Sequence, residues 1–180
     1  MTLDNLWAGW RSAYVTSVTG EDAADQARVG SGVDAGDEAS CVFCRIISST
    51  APDEERFVLA ASEHSVVIMN AYPYASGHVL VMPRRHVQEL SALSSDESID
   101  LWEITCAAAN VIEVTYTPDG MNLGANLGRA AGAGIPRHLH LHALPRWIGD
   151  TNFMTSVASV RVMPEALSDS YKKLRANWPT

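Results

Sequence analysis

The 180-residue chain is poor in cysteine, in basic residues and in long apolar runs. Three cysteines are too few, and odd in number, for a secreted disulfide scaffold. Thirteen Lys and Arg residues against 21 Asp and Glu give a net charge of −8. This balance argues against nucleic acid or an anionic membrane as the main partner, because both bind basic surfaces. No apolar run approaches the ~20 residues of a membrane helix, and the N-terminus lacks a signal-peptide pattern, so we expect a cytoplasmic protein.

Hydrophobic residues make up 47% of the chain, which is enough for one sizeable core. Residues 16–40 differ from the rest, with six acidic residues, one Arg and few large apolar side chains. Such a stretch cannot bury enough surface to offset its ordering entropy. We therefore predict an N-terminal extension with a flexible acidic linker over 1–39, and one folded domain over 40–180.

Within that domain the hydrophobic pattern predicts mostly strands, at 56–61, 65–70, 77–83, 121–127 and 138–144. A long helix is predicted within 89–116, with Ser94 as N-cap and Glu97 three residues later, and an amphipathic helix closes the chain at about 164–178. Cys106, in the long helix, is expected in the core. This order predicts an α+β fold with an antiparallel sheet of about five strands.

Half of the six histidines lie at alternate positions, His138, His140 and His142, between Pro136 and Pro145. The prolines disfavour a helix here, and on a strand alternate residues share one face. The three imidazoles are therefore expected to line a surface or cleft together. Such a group can act as nucleophile, as phosphate ligands or as metal ligands, and the alternative is a solvated polar strand face.

A glycine-rich segment, 126–136, comes directly before the histidines. Gly128, Gly132 and Gly134 free the backbone to turn its amides toward an anion. A glycine-rich loop alone is a weak signal, but followed at once by three histidines it predicts one wall of a phosphate site.

The sequence HLHLHALPRW, preceded by NLGRAAGAGIPR, resembles the histidine triad (HIT) superfamily. The segment 70–86, with its Gly-His and Pro-x-x-His elements, is also similar to that family. The resemblance covers about 40–153. Within the superfamily it is greatest to the bacterial branch related to diadenosine tetraphosphate phosphorylases and hydrolases, on the cues Leu-Trp near the N-terminus, Asn70-x-Tyr-Pro-Tyr and PRWIGDTNF at 145–153.

The resemblance implies a HIT-like fold, a homodimer and a hydrolase or transferase that cleaves dinucleoside polyphosphates. His140 is implied as the nucleophile that attacks the α-phosphorus and forms a nucleotidyl-histidine intermediate. His142 and Asn126 are implied as phosphate ligands in the catalytic site. The other implied nucleotide contacts are the backbone of Gly132, Ala133 and Gly134, and Asn70 at the ribose hydroxyls; the alternative for Asn70 is a hydrogen-bonded residue at a strand end.

Three other functions stay open from the sequence. The first is a purine nucleotide phosphoramidase that uses the same histidine. Gly134 and Ile135 stand where many family members have Gln and then Ser or Thr, which leaves the activated leaving group undecided. The second is a catalytic metal site built from all three histidines, and the third is a nucleotide-binding module without turnover.

The pair Cys41 and Cys44 has the two-residue spacing that lets two thiolates bind one tetrahedral zinc ion. By the resemblance, the remaining ligands are His86, at the Pro-x-x-His position, and His138, the first histidine of the triad. This set predicts structural zinc, against the alternative of two unliganded cysteines. His78, which follows Gly77 at a strand start, is expected to have a structural role.

Overall fold

The computed structural model describes residues 38–150 and 165–179. The predicted N-terminal extension and acidic linker, 1–39, lie outside the described residues except for the last two. Residue 164, the first of the predicted final helix, also lies outside them. Within the two described ranges, no helix combines the length and apolar character that crossing a membrane would require.

The described part is an α+β domain around one antiparallel five-stranded sheet, as predicted. The strands, in the spatial order β1-β2-β3-β5-β4, are β1 (Val58–Ala61), β2 (Ser65–Met69), β3 (Val79–Pro83), β4 (Gly120–Ala125) and β5 (Leu141–Arg146). The α-helices of the described ranges are α1 (Val42–Ser48), α2 (Asp53–Arg56), α3 (Ser95–Tyr116) and α4 (Leu167–Ala176).

The long helix α3 begins where the sequence predicts. Ser94 Oγ accepts a hydrogen bond from the Glu97 amide at 3.1 Å, and Glu97 Oε2 accepts one from the Ser94 amide at 2.8 Å, which completes a capping box. The predicted apolar face is buried, at Leu101, Ile104, Ala108 and Ile112. The prediction for Cys106 is wrong, since this side chain lies on the exposed face of α3.

The two faces of the sheet carry different clusters. Val67, Val79, Val81 and Ala143 belong to the core that packs under α3 and α4. The opposite face carries Val66, Ile68, Leu80 and Met82, which pack against the residues of α1. Because side chains alternate along a strand, the register Leu80↔His142 puts His142 on this second face.

Strand β5 begins at Leu141 rather than at His138, so that only His142 of the three histidines lies within it. The preceding segment runs beside the residues after β3, where the Leu139 amide donates to the Val87 carbonyl at 2.7 Å. Pro145 lies inside β5, although the sequence pattern suggested that it would bound the strand. It is tolerated there because β3 pairs with β5 no further than Ala143, which leaves β4 as the one strand beside Pro145.

The short helices α1 and α2 are not predicted by the hydrophobic pattern. Helix α1 follows directly after Cys41, its N-cap, and therefore turns Cys41 and Cys44 toward the same side. Helix α2 occupies the first residue of the strand predicted at 56–61, and Phe57, in the left-handed conformation at φ 56°, separates it from β1.

Candidate active site and metal cluster

Four predicted metal ligands converge below the second face of the sheet. One ligand atom from each of Cys41, Cys44, His86 and His138 lies within 4.8 Å of all the others. The Cys44 sulfur is 3.1 Å from His86 Nδ1 and 3.4 Å from His138 Nδ1, and the Cys41 sulfur is 3.5 Å from His138 Nδ1. Tetrahedral zinc with ordinary bond lengths separates a sulfur from a nitrogen ligand by roughly 3.5 Å. The spacing therefore fits a four-coordinate metal ion.

The tautomer of His138 also suits a metal ligand. Its Nε2 lies 2.9 Å from the Pro83 carbonyl oxygen, which can only accept, so that Nε2 carries the hydrogen. Nδ1, which faces the two sulfurs, is thereby left with its lone pair. A hydrogen bond from the second ring nitrogen is the usual means of orienting a histidine that binds a metal.

The buried environment of the two sulfurs disfavours a thiolate that has no cation beside it. Burial, followed by the hydrogen bond with Cys41 and the charge of that residue, raises the pKa of Cys44 to about 12. A thiolate in this position is therefore unfavourable unless a positive charge compensates it, as a coordinated metal ion does. Together with the spacing, this donor set could hold a metal ion.

His140 is buried, with 6% of its surface exposed. One of its ring nitrogens carries a hydrogen, and the other has a free lone pair. Its Nδ1 donates to the carbonyl oxygen of His138 at 2.8 Å. Nε2 is therefore the unprotonated nitrogen of the neutral ring. Burial lowers the pKa of His140, against the opposing effect of this hydrogen bond. At pH 7 the site thus holds a neutral imidazole with a fixed tautomer, the form that can attack phosphorus.

His142 lies next to this nucleophilic candidate, with ring centroids 5.1 Å apart. Burial, and to a smaller extent the charge of His140, lowers the pKa of His142 to about 4. Its Nε2 is buried and has no hydrogen-bond partner among the described residues. A buried polar atom of this kind is costly unless a ligand or water satisfies it, so Nε2 is available to a bound ligand.

The glycine-loop residues lie next to the triad segment in the chain. Continuing the β4–β5 register by one residue beyond Ala125↔Leu141 places Asn126 across from His140. The Asn126 side-chain amide lies 3.5 Å from the carbonyl oxygen of Gly132, which links the strand end to the glycine loop. Gly128 and Gly132 have φ values of 79° and 90°, which favour glycine and make the tight turn possible. Ala133 and Gly134 continue this partly exposed loop.

Asn70 and His78 form a hydrogen-bonded pair across β2 and β3, just beyond the ends of the strands. The Asn70 amide donates to the His78 carbonyl oxygen at 3.0 Å, and Asn70 Oδ1 accepts from the Tyr72 amide at 3.0 Å. His78 is fully buried, and its Nε2 is 3.0 Å from Nδ1 of His142. From the sequence, His78 is expected to have a structural role only, and its contact with His142 is not predicted. Knowledge of the strand register would have suggested the contact, because His78 and Leu80 share the face of His142.

Phe43 is a second site residue that the sequence pattern does not predict. Phe43 lies between the two cysteines in the chain. Its ring packs edge-on against the rings of His138 and His140, at centroid distances of 5.6 and 5.2 Å. The metal cluster and the nucleophilic candidate therefore share one wall. No sequence signal beyond its place inside the Cys-x-x-Cys element marks this residue.

The fold and the site together define an α+β domain with buried, ordered imidazoles beside a Cys2His2 cluster. The HIT domain model matches residues 51–147, and the chain belongs to the HIT domain family.

Relatives extend this assignment. An AP-4-A phosphorylase from Mycobacterium tuberculosis is 41% identical over 126 residues, which cover 70% of this chain and 65% of the relative. The match therefore spans just under two thirds of that protein's length. A Zn-bound histidine triad family protein from Mycobacterium smegmatis has a TM-score of 0.62 and 30% identity, with 78% of this chain and 94% of that chain covered. A hypothetical histidine triad nucleotide-binding protein from Sulfolobus tokodaii has a TM-score of 0.61 and 28% identity, with coverages of 76% and 91%.

Proposed function

We propose that this protein transfers a nucleotidyl group from a dinucleoside polyphosphate, such as diadenosine tetraphosphate, through a covalent intermediate on His140. The observation that carries the proposal is the hydrogen bond from Nδ1 of the buried His140 to the His138 carbonyl, which leaves Nε2 as the attacking atom. The similarity to an AP-4-A phosphorylase supports the choice of substrate class.

In this reaction His140 Nε2 forms a bond with the α-phosphorus, and the bond from that phosphorus to its bridging oxygen breaks. The electron pair leaves with the nucleoside polyphosphate. Nδ1 keeps its hydrogen bond to the His138 carbonyl, which stabilises the positive charge of the phosphorylated ring. Phosphate or water then attacks the same phosphorus and releases the imidazole, so that diadenosine tetraphosphate gives ATP together with ADP or AMP.

Hydrogen-bond donors around His140 would bind the phosphoryl oxygens. We assign this role to His142 Nε2, which lacks a partner among the described residues, to Asn126 across from His140, and to the loop amides of Gly132, Ala133 and Gly134. Removing one such donor typically costs ~10²–10³ in rate. For Asn70 we retain the ribose contact as a proposal, although its side chain is already held by Tyr72 and His78.

We further propose that the ion in the Cys2His2 cluster is zinc and that its role is structural. All four protein ligands are present, whereas a catalytic zinc site keeps one position open for water or substrate. The ion would anchor His138, whose carbonyl oxygen orients His140. Cys41, Cys44 and His86 would bind the other three positions.

The proposed oligomer is a homodimer. Strand β4 is at one edge of the sheet, and it pairs only with β5 among the described residues. The outer face of α3 exposes the apolar side chains of Ile99 and Trp102, each 57% accessible. An unpaired edge and an apolar helix face are liabilities that a second copy of this chain would cover.

The dimer is tested by measuring molar mass with light scattering. Trp102→Glu should convert the dimer to a monomer, whereas Leu90→Glu, which changes an exposed leucine in a short 3-10 helix, should not. A monomeric wild-type protein at micromolar concentration would contradict the proposal.

The enzymatic proposal is tested by incubating the protein with diadenosine tetraphosphate, with and without inorganic phosphate, and separating the nucleotides. ADP plus ATP formed only with phosphate identifies a phosphorylase, and AMP plus ATP identifies a hydrolase. His140→Ala should abolish both, while His64→Ala, in the β1–β2 turn, should not alter the rate. Absence of turnover by the wild type under both conditions would refute the substrate assignment.

A further inference from the structure

The loop between β2 and β3, residues 70–78, packs on a side chain from the end of α3. Gly77 in this loop has φ +77°, and a Cβ built there would lie 2.4 Å from the ring of Tyr116. The tyrosine ring therefore occupies the space that a side chain at position 77 would need. Residues 71–75 are exposed or half-buried, and burial begins at Ser76. The stretch packed on Tyr116 is thus where the loop joins the buried part of the domain.

The hydroxyl of Tyr116 connects the same ring to the C-terminal helix. It donates to Glu165 Oε1 at 2.5 Å, and Ser170 Oγ donates to the same oxygen at 2.6 Å. The other oxygen of this carboxylate accepts from Lys173 Nζ, which also lies 5.9 Å from the centre of the Tyr116 ring. Glu165 comes two residues before α4. Tyr116 therefore links the β2–β3 loop to α4 through one carboxylate.

The protonation states of Tyr116 and Glu165 keep this link intact at neutral pH. Burial tends to raise the pKa of Glu165, but the hydrogen bonds from Lys173, Ser170 and Tyr116 outweigh burial and lower the pKa. Burial, followed by the hydrogen bond to Glu165, raises the pKa of Tyr116. The carboxylate is therefore charged and the phenol stays a donor. Charge-assisted hydrogen bonds of this kind are stronger than bonds between neutral groups.

The loop that rests on Tyr116 borders the candidate active site. Asn70 begins it, and the Tyr74 ring lies nearly parallel to the ring of His142, with centroids 5.9 Å apart. The nucleophilic candidate His140, in contrast, is oriented by the His138 carbonyl, which does not belong to the loop. A change in the shape of the loop would therefore alter the groups around the nucleotide more than the attacking imidazole.

We propose that Tyr116 is a positioning residue through which Glu165 and α4 hold the β2–β3 loop in the shape that binds the nucleoside end of the substrate. The choice of substrate rests on the proposed function, whereas the support of the loop does not. Without this support, the apparent affinity falls in proportion to the fraction of molecules whose loop keeps the binding shape. Saturating substrate restores that shape, so KM rises while kcat changes little.

The first test is hydrogen exchange of the loop amides in the full-length protein, with and without the Tyr116 ring or hydroxyl. Tyr116→Leu removes the ring and should speed exchange within 71–78 by ~10-fold or more, because local opening sets this rate. Tyr116→Phe removes only the hydroxyl and should give a smaller increase. Wild-type exchange of the loop in both variants would overturn the proposal, and Tyr116→Phe decides the question if Tyr116→Leu does not fold.

Tyr171→Phe is the matched control for Tyr116→Phe. It also removes the hydroxyl of a tyrosine that is linked to α4, but this hydroxyl donates to the Val58 carbonyl of β1 at 3.2 Å. The variant should lose thermal stability while the loop exchanges as in the wild type. If Tyr171→Phe speeds loop exchange as much as Tyr116→Phe does, the effect is general destabilisation and the positioning role is wrong.

The second test separates KM from kcat for diadenosine tetraphosphate. If the loop of Tyr116→Leu keeps its binding shape in about a tenth of the molecules, KM should rise ~10-fold, with kcat within about twofold of the wild type. Tyr116→Phe should raise KM less, and Tyr171→Phe should leave both constants unchanged. A fall in kcat at unchanged KM would overturn the proposal. Absence of turnover by the wild type would refute the proposed function, and hydrogen exchange would then decide the support of the loop.

Variants of Glu165 test the contribution of α4. Glu165→Ala removes the acceptor and should raise KM about as much as Tyr116→Phe. Glu165→Gln keeps a side-chain oxygen that can accept from Tyr116, and it should recover most of the affinity. If Glu165→Ala left KM and loop exchange at wild-type values, the part of the proposal that assigns the support to α4 would be wrong.

Discussion

The metal cluster gives a prediction about the thermal stability of the domain. Replacing Cys44 by Ser, or removing the ion with a chelator, should lower the melting temperature without unfolding the domain at room temperature. The domain has a separate core under α3, so folding does not depend on the metal alone, as it does in a zinc finger. When the ion leaves, its ligands also retain hydrogen-bonding contacts, since His138 still donates to Pro83.

The magnitude comes from linkage between binding and folding. An ion at 100 times its Kd stabilises the folded state by about 2.7 kcal/mol. For a domain of this size each kcal/mol shifts the melting temperature by about 2–4 °C, so the expected loss is about 5–10 °C. The measurements are metal content by mass spectrometry and thermal unfolding of the full chain before chelation, after chelation and after zinc is restored.

Cys106→Ser provides the matched control, because this cysteine is exposed on α3 and away from the other ligands. It should retain both the metal content and the response to chelation. The reasoning would be refuted if the purified protein held less than one metal ion per two chains under zinc-replete conditions, or if its melting temperature did not respond to chelation and zinc addition.

Two further predictions concern the surroundings of the histidines. Gly77→Ala should lower the unfolding free energy, measured by chemical denaturation, by roughly 2–5 kcal/mol, because φ is +77° and a Cβ would lie 2.4 Å from the Tyr116 ring. Gly120→Ala is the control and should cost much less, since a Cβ there would have nothing within 4 Å. Because burial lowers the pKa of His140 and His142, the acidic limb of a kcat/KM profile should fall below pH 6.5, the value of a free imidazole. As pH falls, the histidines of the unfolded chain bind protons at a higher pH than those of the folded chain. The unfolding free energy should therefore also decline as pH falls from about 6.5 toward 4. An acidic limb of the kcat/KM profile above pH 6.5 would contradict the lowered pKa on which both statements depend.

The sequence predicted the fold well where one local pattern determined the structure. The Ser94 and Glu97 capping box, together with the apolar repeat that follows, defined α3 because cap and periodicity act within a few residues. The pattern failed for Cys106, since a small apolar residue on a helix does not reveal which neighbour covers it. It also failed for α1, a seven-residue helix that is too short for a recognisable period.

The metal cluster was predictable as a set of residue types but not as a geometry. Cys41 and Cys44 are a local motif, whereas His86 and His138 were assigned through the family resemblance. Their convergence depends on how far the segments after β3 and before β5 extend beyond the sheet. The alternation rule placed all three histidines of the triad on one strand, yet β5 begins at Leu141, and His138 reaches the sulfurs from an irregular segment.

The roles of the three triad histidines differ because each ring has a different partner at its second nitrogen, and this property is not local in sequence. His138 donates to the carbonyl of Pro83, the last residue of β3, and turns Nδ1 toward the sulfurs, while His140 donates to the His138 carbonyl and leaves Nε2 with its lone pair. His142 Nδ1 lies 3.0 Å from Nε2 of His78, so Nε2 of His142 is the nitrogen left for a ligand. The metal-ligand, nucleophile and phosphate-donor roles proposed for three identical side chains thus depend on partners that lie 55, 2 and 64 residues away in the chain. Sequence spacing can bring the imidazoles together, but their proton positions follow only from the packed sheet.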